Sequence, residues 1–584
     1  MRMLLNGWHN KQHNKKQSPL SLSTKYACIV KPLSFNNETI IMSMMQQPLL
    51  ISSLLEHAIV SHPQAEIVSR KVEGGIFKYT YGQAAKRAKQ VANALTQKLG
   101  IQQGDRIGTL AWNTYRHYEL YFGISGMGAI THTINPRLFP EQIIYIINHA
   151  ADRFIFVDLT FLPLLEAVAS HISKVEGIVV LTDKAHMPSS SKLSNLLCYE
   201  DLIADMSDEF TWPLLDENSD TALCYTSGTT GHPKGVMYTQ RSTVLHAMAA
   251  AQHNALNITE DTVLLPVVPM FHVNAWGTPY AATMTGAKLV FPAHGMDGAS
   301  LYELINGQQA NLLLGVPTVW LGLLNYLDSI NAKLDSVQNV VVGGSAAPLS
   351  MIKAFAEKHD AFLIHAWGMT EMSPLGTVNS MNRHMATLPL EERYQKQLKQ
   401  GRPVYGVEIK IVDDKGTELA RDGKAFGRLL VRGPWVVDGY YLNDDKKSFV
   451  DGWFDTGDVA TIDNENTMQI VDRSKDVIKS GGEWISSIDL ENAAVGHPAL
   501  KECCVIGVYH PKWDERPLLL AIKKDGAEVT EAEVITFLSD KVAKWQLPDA
   551  VVFVPELPHT ATGKLLKTGV RETYKNYLVE HAKV

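Results

Sequence analysis

Residues 221–235 read TALCYTSGTTGHPKG, an apolar run that opens into small hydroxyl residues, three glycines and one lysine. TALCY predicts a buried strand. The residues after it cannot continue that strand: Gly228, Gly231 and Gly235 let the backbone take positive φ and approach a ligand closely. Thr226, Ser227, Thr229 and Thr230 add hydroxyl donors to the exposed N–H groups, and Lys234 adds a point charge beside the restricted Pro233. Such a composition also occurs in plain surface turns, but a strand in front of it is where phosphate cradles begin. The stretch is not the P-loop G-x-x-x-x-G-K-[ST], because Lys234 is followed by Gly235.

Outward from this point, apolar runs alternate with helical stretches. RIGTL (106–110), RFIFVD (153–158), GIVVLTD (177–183) and NVVVGG (339–344) read as strands. TYGQ from Thr80 is a capping box, after which Ala84, Ala88, Val91, Ala92, Leu95 and Leu99 recur at helical spacing until Gly100. The alternation predicts an α/β fold with parallel strands. Beyond residue 400, VEIKIVDDKGTEL, GRLLVRG and NTMQIVDR shift to short alternating strands, read as a small β-barrel-like subdomain. After DRSKDVIKSGGEWIS (472–486) comes a mixed α/β stretch of small-domain size. The layout expected is a large domain of layered α/β subdomains plus the β-rich one over 45–471, then a small α+β domain over 478–584.

Bulk properties agree with a globular protein of more than one domain. The 584 residues exceed what one core organises. A net charge of −7 offers no bulk attraction to nucleic acid. Five cysteines (Cys28, Cys198, Cys224, Cys503, Cys504) are odd in number and lack metal spacing, which suits a reducing, cytoplasmic setting. No run approaches the roughly 18 residues of a membrane span, which leaves peripheral membrane contact open, as it does homodimerisation. Residues 1–44 carry six basic residues against Glu38 alone and read as a disordered extension, with a start at Met42, Met44 or Met45 as the equivalent reading.

The loop YTSGTTGHPKG resembles the signature of the adenylate-forming superfamily of acyl-CoA synthetases. Further stretches of that family occur in order: PMFHVNAWG (269–277), VVGGSAAP (341–348), WGMTE (367–371), GWFDTGD (452–458), DRSKD (472–476), KSGGEWIS (479–486) and PHTATGK (558–564). The resemblance covers roughly 49–575 and is greatest to bacterial medium- and long-chain fatty acyl-CoA synthetases.

It implies two half-reactions: a carboxylate attacks the α-phosphorus of ATP to give acyl-AMP and pyrophosphate, and the thiol of coenzyme A then displaces AMP. It implies Mg²⁺ held by Thr226 and Glu371, and a catalytic lysine at Lys564, although Lys567 stands nearby. Asp458 takes the ribose position with Arg473 assisting, and Trp367 stands where the family often has Tyr beside the adenine. Gly344, His365 and Thr370 match the nucleotide site, and His272 and Val273 the surroundings of the α-phosphate. Trp276 matches an aromatic gate on the fatty-acid tunnel, for which a packed core Trp is the bland alternative. Residues 472–477 are expected to act as a hinge for a mobile C-terminal domain. Lys475, Lys479 and Trp484 would reach the nucleotide in one arrangement, and Gly481–Gly482 would admit the pantetheine in the other.

The substrate expected is a medium- to long-chain fatty acid, because each buried CH₂ contributes about 0.8 kcal/mol. Other acids, aryl or short-chain, remain as an alternative, as does a silent nucleotide or acyl-CoA binder. A luciferase-type oxygenase would share the adenylate step. A peptide-synthetase domain fits less well, because His272 follows Phe271 where an Asp would hold an ammonium.

Overall fold

The computed structural model describes residues 44–226, 232–444, 447–480, 483–559 and 565–581, with Glu483 and Trp484 described in backbone only. The chain divides into units of 1–47 and 48–584, and among the described residues every helix and strand belongs to the second.

TALCY forms the strand Asp220–Tyr225, the last parallel member of a seven-stranded sheet. The sheet's order is Leu196–Cys198, Gly177–Val180, Phe154–Val157, Arg106–Leu110, Ile130–Thr133, Asp220–Tyr225 and Gly235–Thr239. Strand Arg106–Leu110 is followed in sequence by a neighbour on one side and then by one on the other, which is the topological switch of doubly wound sheets. Gly235–Thr239 closes the edge as an antiparallel hairpin partner, so the Gly/Thr loop is the hairpin connection. The strand members Phe154, Ile155, Phe156 and Val157 are all buried, as expected where helices cover both faces.

A second sheet has nine strands, with six parallel strands from Phe362–Gly368 to Glu66–Arg70 and antiparallel strands at its borders. The expected helix runs over Tyr81–Gln97, where Thr80 and Gln83 make the reciprocal capping box and Ala84, Ala88, Val91, Ala92 and Leu95 are buried. The β-rich stretch forms a five-stranded antiparallel sheet built around the long strand Trp453–Ile462. The small C-terminal domain has its own five-stranded sheet, centred on the pair Leu500–His510 and Asp514–Lys523. No described helix is long and apolar enough to cross a membrane.

Candidate active site

A cavity of about 520 Å³ opens where these parts converge. The nine-stranded sheet contributes Gly343 and Gly344, just past one strand, and Ala366–Glu371 at and after the next. Thr226 enters from the seven-stranded sheet, Gly457 and Arg473 from the β-rich sheet, and Leu565–Thr568 with Arg571 from the C-terminal domain. Its place beyond the carboxyl ends of parallel strands is where α/β sheets bind ligands.

Of the residues singled out in the sequence, Thr226, His272, Val273, Trp276, Gly344, Trp367, Thr370, Glu371, Arg473 and Lys475 border the cavity. Ser227, Gly228, Thr229, Thr230, Gly231, Gly481, Gly482 and Lys564 lie outside the described residues. Two others are placed elsewhere. His365 is a core residue: its ring is 1% exposed, Nδ1 donates to the Leu398 carbonyl at 3.0 Å, and burial lowers its pKa to about 4. Lys479 sits on the C-terminal sheet, where its strand pairs with the backbone of Trp484 and its N–H donates to Glu515, and it is not part of the cavity wall.

The phosphate-loop neck is closed by the Thr226 N–H, which donates to the Lys234 carbonyl at 2.9 Å. The Lys234 ammonium then lies 4.6 Å from the centre of the Tyr440 ring, and the Tyr440 hydroxyl donates to Glu371 Oε1 at 2.9 Å. Backbone contacts fasten this segment at both ends: Tyr441 N–H to the Gly235 carbonyl and Val437 N–H to the Glu371 carbonyl, each 2.8 Å. Tyr440 therefore spans the predicted phosphate-binding cation and the predicted metal carboxylate. Burial raises the Glu371 pKa, opposed by its own backbone N–H and by Tyr440. Sequence reading missed Tyr440, whose only signal was the turn-like DGYYLN. Tyr440→Phe keeps the ring under Lys234 and removes one hydrogen bond to a carboxylate. We expect kcat/KM for ATP to fall about tenfold, measured by steady-state kinetics, with the melting temperature unchanged.

At the predicted ribose contact, both oxygens of the buried Asp458 have donors. Arg473 Nε meets Oδ1 at 2.8 Å and the Trp367 indole N–H meets Oδ2 at 3.0 Å. Trp367 thus does more than offer a stacking face: it orients the carboxylate, which a Tyr ring would do through a different atom. Gly376 makes room for the indole, since a Cβ there would lie 2.7 Å from the ring.

Val273, Asn274, Ala275 and Trp276 have φ of 48°, 50°, 50° and 57°, and Gly277 continues at 69°. Four successive non-glycine residues in the left-handed region cost about 1–2 kcal/mol each, so tertiary contacts must hold the turn. Asn274 Oδ1 accepts from the Cys224 thiol at 3.5 Å, and Thr278 Oγ1 donates to the Ala275 carbonyl at 2.7 Å. The turn lays the Trp276 ring against Gly343, where a Cβ would lie 2.9 Å from it.

Among known proteins, the AMP-binding enzyme family matches residues 55–441, and the AMP-binding enzyme C-terminal domain matches 489–564. A 3-methylmercaptopropionyl-CoA ligase of Ruegeria lacuscaerulensis is 51% identical, over 92% of this chain and 99% of the relative. A medium-chain-fatty-acid–CoA ligase of Ectopseudomonas oleovorans is 49% identical, over 92% and 98%. Among solved structures, the anthranilate CoA ligase AuaEII with anthranoyl-AMP superposes with a TM-score of 0.80 at 26% identity, over 91% of this chain and 99% of that one. Thr226, the cavity it borders and these matches together place the chain in the AMP-binding enzyme family.

Proposed function

We propose that this protein joins a medium- to long-chain fatty acid to coenzyme A through an acyl-AMP, releasing AMP and pyrophosphate. The observation that carries the reading is the composition of one cavity. Thr226, the buried carboxylate of Glu371 and Arg473, which pairs with Asp458, line it together with the apolar Leu256, Trp276, Val341 and Leu375. Relatives named as CoA ligases for several acids support the CoA-ligase class.

The attack of a carboxylate on a triphosphate brings anions together, so preorganised cations dominate the catalysis. Lys234 supplies one charge beside the loop, and Lys564 is assigned the other, between acyl oxygen and α-phosphate. Arg473 and Trp367 hold Asp458 for the ribose hydroxyls. A hydroxyl and a buried carboxylate form an oxygen donor set that fits a hard cation. Thr226 and Glu371 would hold Mg²⁺, which neutralises phosphate charge when bound. The hinge at 472–477 and Gly481–Gly482 serve the thioester step in this scheme. Among the described residues, three thiols are kept from the chemistry by burial: Cys224, with its pKa pushed up to about 11, and Cys503 and Cys504. Such free thiols suit a cytoplasmic enzyme.

A second reading has its own support. With the Trp276 ring against Gly343, the cavity of about 520 Å³ favours an acid short enough to leave the indole in place. The relative acting in name on 3-methylmercaptopropionate points the same way. A panel of short, medium and long fatty acids, 3-methylmercaptopropionate and an aryl acid, assayed for CoA-dependent AMP release, separates the readings. The highest kcat/KM with the longer fatty acids supports the proposal, and a maximum at the thioether acid replaces it. Trp276→Ala is expected to let fatty acid bind before ATP and to raise activity on longer chains. Calorimetric titration showing wild-type binding order would return Trp276 to the packed core.

A further inference from the structure

Lys567 borders the cavity three residues after Lys564, yet its charge is committed elsewhere. Its ammonium donates to Glu491 Oε1 at 2.7 Å and to Ser487 Oγ. The Ser487 hydroxyl in turn donates to Asp472 Oδ2 at 2.6 Å, and the Ser487 N–H donates to the same oxygen at 2.7 Å. Asp472 Oδ1 accepts from the Arg473 N–H at 2.8 Å, so that carboxylate has donors on both oxygens. Beside it, the Ser486 hydroxyl donates to the Val471 carbonyl. Asp472 and Ser487 are 1% and 0% exposed.

Three elements meet in this chain of contacts. Asp472 lies at the end of strand Met468–Arg473 of the β-rich sheet, Ser487 starts helix Ser487–Val495, and Lys567 starts helix Lys567–Tyr574. Burial would lower the Lys567 pKa, but Glu491 and Asp472 outweigh it and hold the ammonium above the usual lysine range. A lysine committed to both Glu491 and Ser487 is a poor candidate for a mobile substrate contact and a good fastening. The same helix is tied a turn later, where Arg571 donates to Asp476 and to the Lys475 carbonyl.

We infer that Lys567 and Ser487 are positioning residues for acyl-adenylate formation: through Asp472 they fasten the cavity-lining segment Leu565–Thr568 to the strand that presents Arg473 to the nucleotide. This rests on the proposed adenylation, in which Lys564 directly precedes that segment. The contact links Asp472, the first residue of the expected hinge at 472–477, to Ser487 and Lys567 beyond its far end. Only the half-reaction that needs the segment over the cavity depends on it.

The test uses the full chain with Ser487→Ala, the hydroxyl-retaining Ser487→Thr, and Lys567→Met. Three quantities are read: acid-dependent exchange of labelled pyrophosphate into ATP, CoA-dependent consumption of supplied acyl-AMP, and hydrogen exchange of amides 565–571. Ser487→Ala is expected to slow pyrophosphate exchange about tenfold and to keep acyl-AMP consumption within about twofold of wild type. Amide exchange over 565–571 should quicken at an unchanged melting temperature, and Ser487→Thr should recover most of the loss. Lys567→Met should act in the same direction and more strongly. Parallel loss of both half-reactions, or unchanged pyrophosphate exchange in Ser487→Ala, overturns the inference. If the wild type itself exchanges no pyrophosphate with any acid, the proposed function fails separately. The fastening is then decided by hydrogen exchange alone, and wild-type protection of 565–571 in both variants refutes it.

Discussion

Lys564→Ala is expected to reduce acyl-adenylate formation by about 10²–10³-fold while leaving transfer from supplied acyl-AMP to coenzyme A largely in place. The asymmetry comes from where charge is needed. In the first half-reaction a carboxylate approaches a polyphosphate, and a fixed cation between them lowers a Coulombic barrier. In the second, the mixed anhydride is already activated and the incoming thiol belongs to coenzyme A. Residues 565–568, next in sequence, border the cavity, whereas Lys567 is engaged with Glu491 and Ser487. Rapid-quench measurement of acyl-AMP, beside a CoA assay started from acyl-AMP, reads the two steps apart. Equal loss in both would remove Lys564 from the assigned role.

Glu371→Gln is the second large effect. The substitution keeps shape and an oxygen that can still accept from Tyr440, so the fold should survive, but it removes the negative charge from a side chain only 7% exposed. If that carboxylate holds the divalent cation, the magnesium concentration giving half-maximal adenylation should rise by about tenfold or more, and the maximal rate should fall about a hundredfold. A magnesium titration of adenylation in both proteins checks this. A wild-type magnesium dependence in Glu371→Gln would assign the metal to other groups.

The elements were legible in sequence because their causes are local. RIGTL is the strand Arg106–Leu110, and Thr80 and Gln83 cap the helix they were expected to start, since apolar period and capping chemistry act within a few residues. The strand in front of the phosphate loop obeys the same logic. What escaped depends on neighbours distant in sequence. Tyr440 reaches Glu371 across 69 positions and Trp367 reaches Asp458 across 91, and no local pattern encodes either meeting. The left-handed turn at 273–276 is held against its intrinsic cost by tertiary contacts, so residue preferences argue against it. His365, which motif order puts beside the nucleotide, is buried on its strand, where the Leu398 carbonyl satisfies its ring.

Labelled pyrophosphate exchange into ATP, without coenzyme A, measures the proposed acyl-AMP step most directly. With magnesium, ATP and a panel of carboxylic acids, the wild-type protein should incorporate label only when an accepted acid is present. Absence of exchange with every acid, in a protein that still binds ATP, would contradict the account.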